Sequence, residues 1–224
     1  MVPINPTHRD LLGALNAGNP STRLKAALAA GTHPDPGLLG ELVARSAVEP
    51  DFFVRDMLTW ALTRLPAEIT VPRLLDELAN ARAQARSQAL HTLSKIGDQR
   101  AWPAITRALL HDADDEVARS AWRAAVVLVL DEERAALAEG LAAQLGRGDR
   151  AVQLSLSRAL VALGDDVAEP ALRTGLASGD PVVRAHARAT QRLLRDPDAG
   201  FAPDVEEAKR VAALGPERAA GTSC

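Results

Sequence analysis

The sequence predicts an all-α protein, a solenoid of about six two-helix repeats with a capping helix at each end. Three observations predict it. A segment centred on arginine recurs at a nearly constant step. A residue four positions before most of these centres is of a type that caps helices. Apolar residues follow each centre at helical spacing.

The anchors are Arg23, Arg55, Arg86, Arg119, Gln153 and Arg184, and subtracting their numbers gives steps of 32, 31, 33, 34 and 31. Four residues earlier stand Asn19, Asp51, Arg82, Asp115, Asp149 and Asp180. Five of these six have a side-chain oxygen that can accept from the free N–H groups of a first helical turn. Pro20 and Pro181 follow at the first helical position, where the missing N–H costs nothing. Val54, Val152 and Val183 precede their anchors and are expected to point inward. Three residues after the anchors come Ala26, Leu58, Ala89, Trp122, Leu156 and Ala187; seven after come Ala30, Leu62, Leu93, Val126, Leu160 and Gln191. That spacing is one buried stripe per helix.

A second helix is expected in each repeat. Pro72, Pro103 and Pro170 each lie 17 residues after an anchor, followed by Leu74 and Leu78, Ile105 and Leu109, and Leu172 and Leu176. Gly97-Asp98 and Gly164-Asp165 read as helix stops. The first repeat has "PDPGLLGELVARSAV" here and the fourth "DEERAALAEGLAAQL". One such unit cannot bury its apolar stripe, whereas stacked units share a continuous core. Residues 1–18 are expected to form an N-terminal capping helix, with Thr7 and Asp10 at capping-box spacing. Residues 19–200 form the array, 201–214 a last helix carrying Val205, Ala208, Val211 and Ala212, and 215–224 a disordered tail.

Composition agrees. Hydrophobic residues make up 47% of the 224, aromatics only 3%, and tyrosine is absent, so the core is aliphatic and suited to closely packed helices. The net charge of -3 removes the simplest argument for nucleic acid, which needs a basic excess or a clustered basic face. The one cysteine, Cys224, permits no disulfide within the chain and fits a reducing cytoplasm. No run approaches the ~18 apolar residues of a membrane span. The start "MVPINPTHRD" lacks the charged-then-apolar pattern of a signal peptide. A soluble cytoplasmic chain is expected.

The stretch "GDQRAWPAITRALLHDADDEVARSAWRAAV" resembles the short HEAT-like repeat also seen in phycobilisome-lyase-type proteins. The resemblance spans roughly residues 19–195. It implies a right-handed α-solenoid with second helices lining the concave side, and a role in partner binding and scaffolding. Three branches of the family are associated with enzymatic chemistry. Hydroxylases of the deoxyhypusine type need His-Glu pairs, but the five histidines are followed by Arg9, Pro34, Thr92, Asp112 and Ala187. HEAT-like alkylpurine DNA glycosylases use aromatics and an acid on a basic surface. Here Trp60, Trp102 and Trp122 stand in a slightly acidic chain. Nothing marks a bilin site.

The expected function is therefore that of a non-enzymatic protein-protein interaction scaffold or adaptor. A nucleic-acid-binding module of the glycosylase type is the alternative. The implied concave side presents Arg73, Asp76, Glu77, Arg107 and Arg173, whose mixed signs suit a protein partner better than a phosphate backbone. Trp102, just before Pro103 at the expected start of a second helix, is either an exposed anchor or a staple on the preceding turn. Trp60 and His91, both five residues after an anchor, are expected to be neighbours, more as inter-repeat packing than as a recognition patch. Trp122 belongs to the core. Arg184, Arg188, Arg192 and Arg195 form a basic stripe, read as a solvated cap or as a site for an acidic partner. The anchor arginines are expected to form a structural ladder on acids or carbonyls. His33 and Asp35 lie in a turn without a third ligand, so no metal is expected. No catalytic residue, cofactor or membrane contact is expected, and the oligomeric state stays open.

Overall fold

A computed structural model describes residues 8–196. The expected helix at 201–214, the tail at 215–224 and Thr7 lie outside the described residues. The described residues contain twelve α-helices and no strand. In order they are α1 (His8–Leu15), α2 (Pro20–Thr32), α3 (Leu39–Ser46), α4 (Phe52–Thr63), α5 (Ala67–Glu77), α6 (Ala83–Ile96), α7 (Arg107–Leu110), α8 (Asp115–Leu128), α9 (Arg134–Ala142), α10 (Arg150–Ala162), α11 (Asp165–Leu176) and α12 (Pro181–Arg195). Short 3-10 turns at Pro36–Leu38, Gln99–Ala104 and Asp131–Glu133 lead into α3, α7 and α9. The chain divides into two compact units between Leu128 and Val129.

Each of the six anchors lies in the first turns of α2, α4, α6, α8, α10 or α12. In the first unit α2, α4, α6 and α8 pack in sequence order, with α3 against α4, α5 against α4 and α6, and α7 against α8; in the second, α10 and α11 each pack on α12, and α9 packs on α11. Within each unit, consecutive packing of this kind is that of an α-solenoid. Helix α1 buries Leu11 and Leu15 and packs on α2 and α3. The stripe three residues after each anchor, from Ala26 to Ala187, is buried throughout.

Four of the expected caps act as such: Asn19, Asp51, Asp149 and Asp180 accept from first-turn N–H groups. Asp115 does not. Asp114 takes that role, accepting from Glu116 and Val117, so α8 begins one residue early. Gly97 ends α6 with φ +71°, the left-handed region a side chain would strain.

The second helices differ from expectation in one respect. Pro72 and Pro170 lie inside α5 and α11 rather than at their starts. In the third repeat, Pro103 falls within a 3-10 turn, and only the four-residue α7 follows. The ring at Pro103 offers no N–H, so the chain restarts its helix at Thr106, whose hydroxyl accepts from Leu109 N–H.

Candidate interaction surface

The anchor side chains bind the turn that enters their own helix. Helices leave their last carbonyls without intrahelical partners. Nη1 of Arg23 takes the carbonyls of Ala17 and Gly18, that of Arg55 those of Glu49 and Pro50, and that of Arg86 those of Asn80 and Ala81. Gln153 reaches Gly148, and Arg184 reaches Ser178. Arg119 departs, pairing at 2.6 Å with Glu116 of its own helix. Its entry turn is braced instead by Asp112, which accepts from Asp114 N–H.

The structure separates the predicted site residues into several groups. On α5, Arg73 and Glu77 form an ion pair at 2.7 Å, and Glu77 also accepts from Asn80, so the two charges largely neutralise each other. Asp76 is exposed on the same helix. Trp102 is half-buried in the 3-10 turn, while Arg107 is exposed at the start of α7. In the second unit Arg173 is exposed on α11, and Arg188, Arg192 and Arg195 are exposed along α12. Arg184 leaves that stripe because it is held on the Ser178 carbonyl. Among the described residues, no group of three or more His, Cys, Asp or Glu is placed to hold a metal ion.

Sequence reasoning passed over the most conspicuous feature of the first unit. Phe52 and Phe53, in the first turn of α4, are 66% and 69% exposed. Their rings meet edge to face with centroids 5.6 Å apart, and the Arg55 guanidinium lies 6.0 Å from the Phe52 centroid. Exposed Val48 stands on the turn just before them. The signal was present in the repeat itself. The positions three and two before the other anchors hold Pro20 and Ser21, Ala83 and Gln84, Glu116 and Val117, Arg150 and Ala151, and Pro181 and Val182. Only the second repeat places two large aromatics there, in a chain with three phenylalanines.

The turn beneath this pair is fixed from four helices. Glu49, fully buried, accepts from Nε and Nη2 of Arg23 on α2, both at 2.7 Å, and from Nε of Arg45 on α3 at 2.8 Å. It also accepts from Asp51 N–H. Its backbone carbonyl accepts from Arg55 of α4 and Gln84 of α6. Burial pushes the Glu49 carboxyl up, but the bonds from Arg23, Asp51 and Arg45 outweigh it and hold the group at about 2. The aromatic pair is thus presented on backbone that has little freedom left to lose.

Trp60, about a third exposed, packs against α2. A Cβ added at Gly31 would overlap Cζ3 and Cε3 of the Trp60 ring and lie 3.1 Å from Ala61 Cα. Trp60 is thus engaged in contact between repeats. Burial, and the charges of Arg123 and Lys95, shift His91 downward, which keeps its half-buried ring neutral. Gly31→Ala is expected to destabilise the first unit by about 1–2 kcal/mol, since the crowded backbone cannot yield as the ring can. A urea midpoint equal to or above that of the wild type would contradict this packing.

No family model matches the chain, and no curated protein matches it in sequence. The solved structures similar to it include the complex of CpcE and CpcF of phycocyanin lyase from Nostoc sp. PCC7120. That similarity has 20% identity and a TM-score of 0.48, covering 84% of this chain and 77% of that one. An engineered protein from a structural genomics consortium is also similar, at 23% identity and a TM-score of 0.47, covering 83% of this chain and 94% of that one. The expectation of a chain without enzymatic role is corrected by the first of these, which is a lyase. No helix among the described residues is long and apolar enough to cross a membrane.

Proposed function

We propose that this chain is a cytoplasmic protein-binding scaffold whose principal contact is the Phe52–Phe53 pair at the start of α4. The observation that carries this reading is a pair of exposed aromatics held on a pinned turn. Exposed apolar surface has a cost in water of about 25 cal/mol per Å². Aromatic residues are over-represented among the few positions that dominate protein interfaces. A rigid presentation lowers the ordering cost of association. The net charge of -3 and the internal pairing of Arg73 with Glu77 favour a protein over a nucleic-acid backbone.

The test is the double variant Phe52→Ala with Phe53→Ala. Both side chains are exposed, so stability is expected to change by about 0.5 kcal/mol or less. Binding is expected to weaken about a thousandfold, since two interface anchors worth roughly 2 kcal/mol each are removed. A photo-crosslinking amino acid at position 53 identifies the partner in the source cell, and affinity for that partner is then measured for wild type, the double variant and Arg188→Ala. Equal affinity for the wild type and the double variant would sink the reading.

A further inference from the structure

We propose that α12 is an acid-released helix, locked by the neutral side chain of His186 and freed when that ring takes up a proton. The lock lies in the second unit. His186 is fully buried on α12. Its Nδ1 accepts from Gly146 N–H of the turn between α9 and α10, at 3.0 Å. Its Nε2 lies 3.0 Å from the Gln153 carbonyl and 3.0 Å from Ser157 Oγ, both on α10. Thr190 Oγ1 donates to the His186 carbonyl, which leaves its own lone pairs for the Ser157 hydroxyl at 2.7 Å. These directions agree only with a neutral ring carrying its proton on Nε2. A second proton on Nδ1 would set N–H against the N–H of Gly146.

Burial disfavours a cation at this position. Among the described residues of this unit, His186 is the only ionisable group that is buried; its buried polar neighbours are Gln153, Ser157 and Thr190. Charged groups on the packed elements lie at more exposed positions. Those on α10 and α12 are arginines: Arg150, Arg158, Arg184, Arg188, Arg192 and Arg195. The acids, Asp165, Asp166 and Glu169, belong to α11, and Arg173 follows them there. The entry turn of α10 adds Arg147 and Asp149. Burial holds His186 down to about 4, against the opposing bond to the Gln153 carbonyl. Ala189 and Leu193 of α12 meet Leu154 and Val161 of α10.

The sign follows from linkage. In the docked state the ring stays neutral down to about 4, whereas a released His186 titrates near its ordinary value of about 6.5. Docking is therefore unaffected above that value and weakens as pH falls toward 4, by about tenfold in the docking equilibrium per pH unit for one proton.

Amide exchange protection along α10 and α12 tests this, measured on the whole chain from pH 7 to 4.5. The expected result is a loss of α12 protection relative to α10 of about tenfold per pH unit below 6.5. The His186 ring nitrogens in an NMR spectrum should show the Nε2–H form and no titration near 6.5. The variant His186→Gln should flatten the pH dependence. If it fails to fold, the wild-type ring shifts and exchange data still decide. A ring titrating near 6.5 in the docked state, protection that does not change with pH, or α10 and α12 losing protection together would overturn the proposal.

Discussion

Glu49→Ala is expected to destabilise the first unit by about 3–5 kcal/mol, because it removes one partner from a buried ion cluster. Two guanidinium groups depend on this carboxylate, and neither could regain water without moving. The side chains of Arg23 and Arg45 are only 7% and 15% exposed. Asp51 N–H would lose its acceptor as well. Glu49→Gln keeps an acceptor of the same shape and removes the charge, so its effect should fall between wild type and alanine. All three tryptophans, Trp60, Trp102 and Trp122, lie in the first unit, so tryptophan emission during urea unfolding reports on that unit. The alanine variant should lower the midpoint by roughly 2 M, taking a slope near 2 kcal/mol per M. A shift under about 0.5 M for alanine, or a larger shift for glutamine, would refute the cluster as a keystone of the turn.

The same group sets an acid limit for this unit. Its carboxyl is held at about 2 in the folded chain, below the value of 4.5 it has when free. A depressed carboxylate contributes stability that is complete above 4.5 and is lost as pH falls through the folded value. Wild type should therefore lose stability more steeply than Glu49→Gln from about pH 4.5 downward.

Much of the fold could be read from sequence because it is local. A cap at Asn19 or Asp180 and a stripe such as Arg55, Leu58 and Leu62 need only the geometry of one helix. The errors arose where two local solutions compete. Asp114 and Asp115 are both able to cap, and Asp114 prevailed with its own N–H tied to Asp112. Pro103 stands in the same column as Pro72 and Pro170, but its surroundings fold as a 3-10 turn. The coupling of Arg23 to Glu49 and of Arg86 to Asp112 spans 26 residues in each case, and nothing local in either segment announces it. It depends on the path by which a second helix returns its end to the start of the first.

The surface was less legible for a related reason. Column comparison singles out what recurs, and so it drew attention to the arginines, which turned out to bind their own turns. Arg184 shows the consequence, since the ladder claims it and removes it from the α12 stripe. Phe52 and Phe53 are what does not recur. An exposed aromatic pair is visible only when the column is read for its exceptions and the burial of each position is known.

Trp122→Ala is expected to match Glu49→Ala in cost, at about 3–5 kcal/mol, through a different mechanism. Trp122 is the largest fully buried side chain of the described residues and follows Ala26, Leu58 and Ala89 in the inward column of the first unit. It lies on α8, which packs on both α6 and α7, and Ser120 of the same helix meets Ser87 of α6 at 3.1 Å. Its indole N–H donates to the Leu110 carbonyl at the end of α7, at 2.9 Å. That bond ties the shortest helix of the unit to its neighbour, so truncation opens a cavity and strips a buried carbonyl of a donor. Trp122→Phe separates the two contributions. It retains much of the ring volume and loses the donor, and should cost about 1–3 kcal/mol. Urea midpoints followed by far-ultraviolet circular dichroism, with amide protection along α7 and α8, give the readout without relying on the deleted fluorophore. If Trp122→Ala costs less than about 1 kcal/mol, the side chain does not fill a close-packed interior, and the repeat column has been placed on the wrong face.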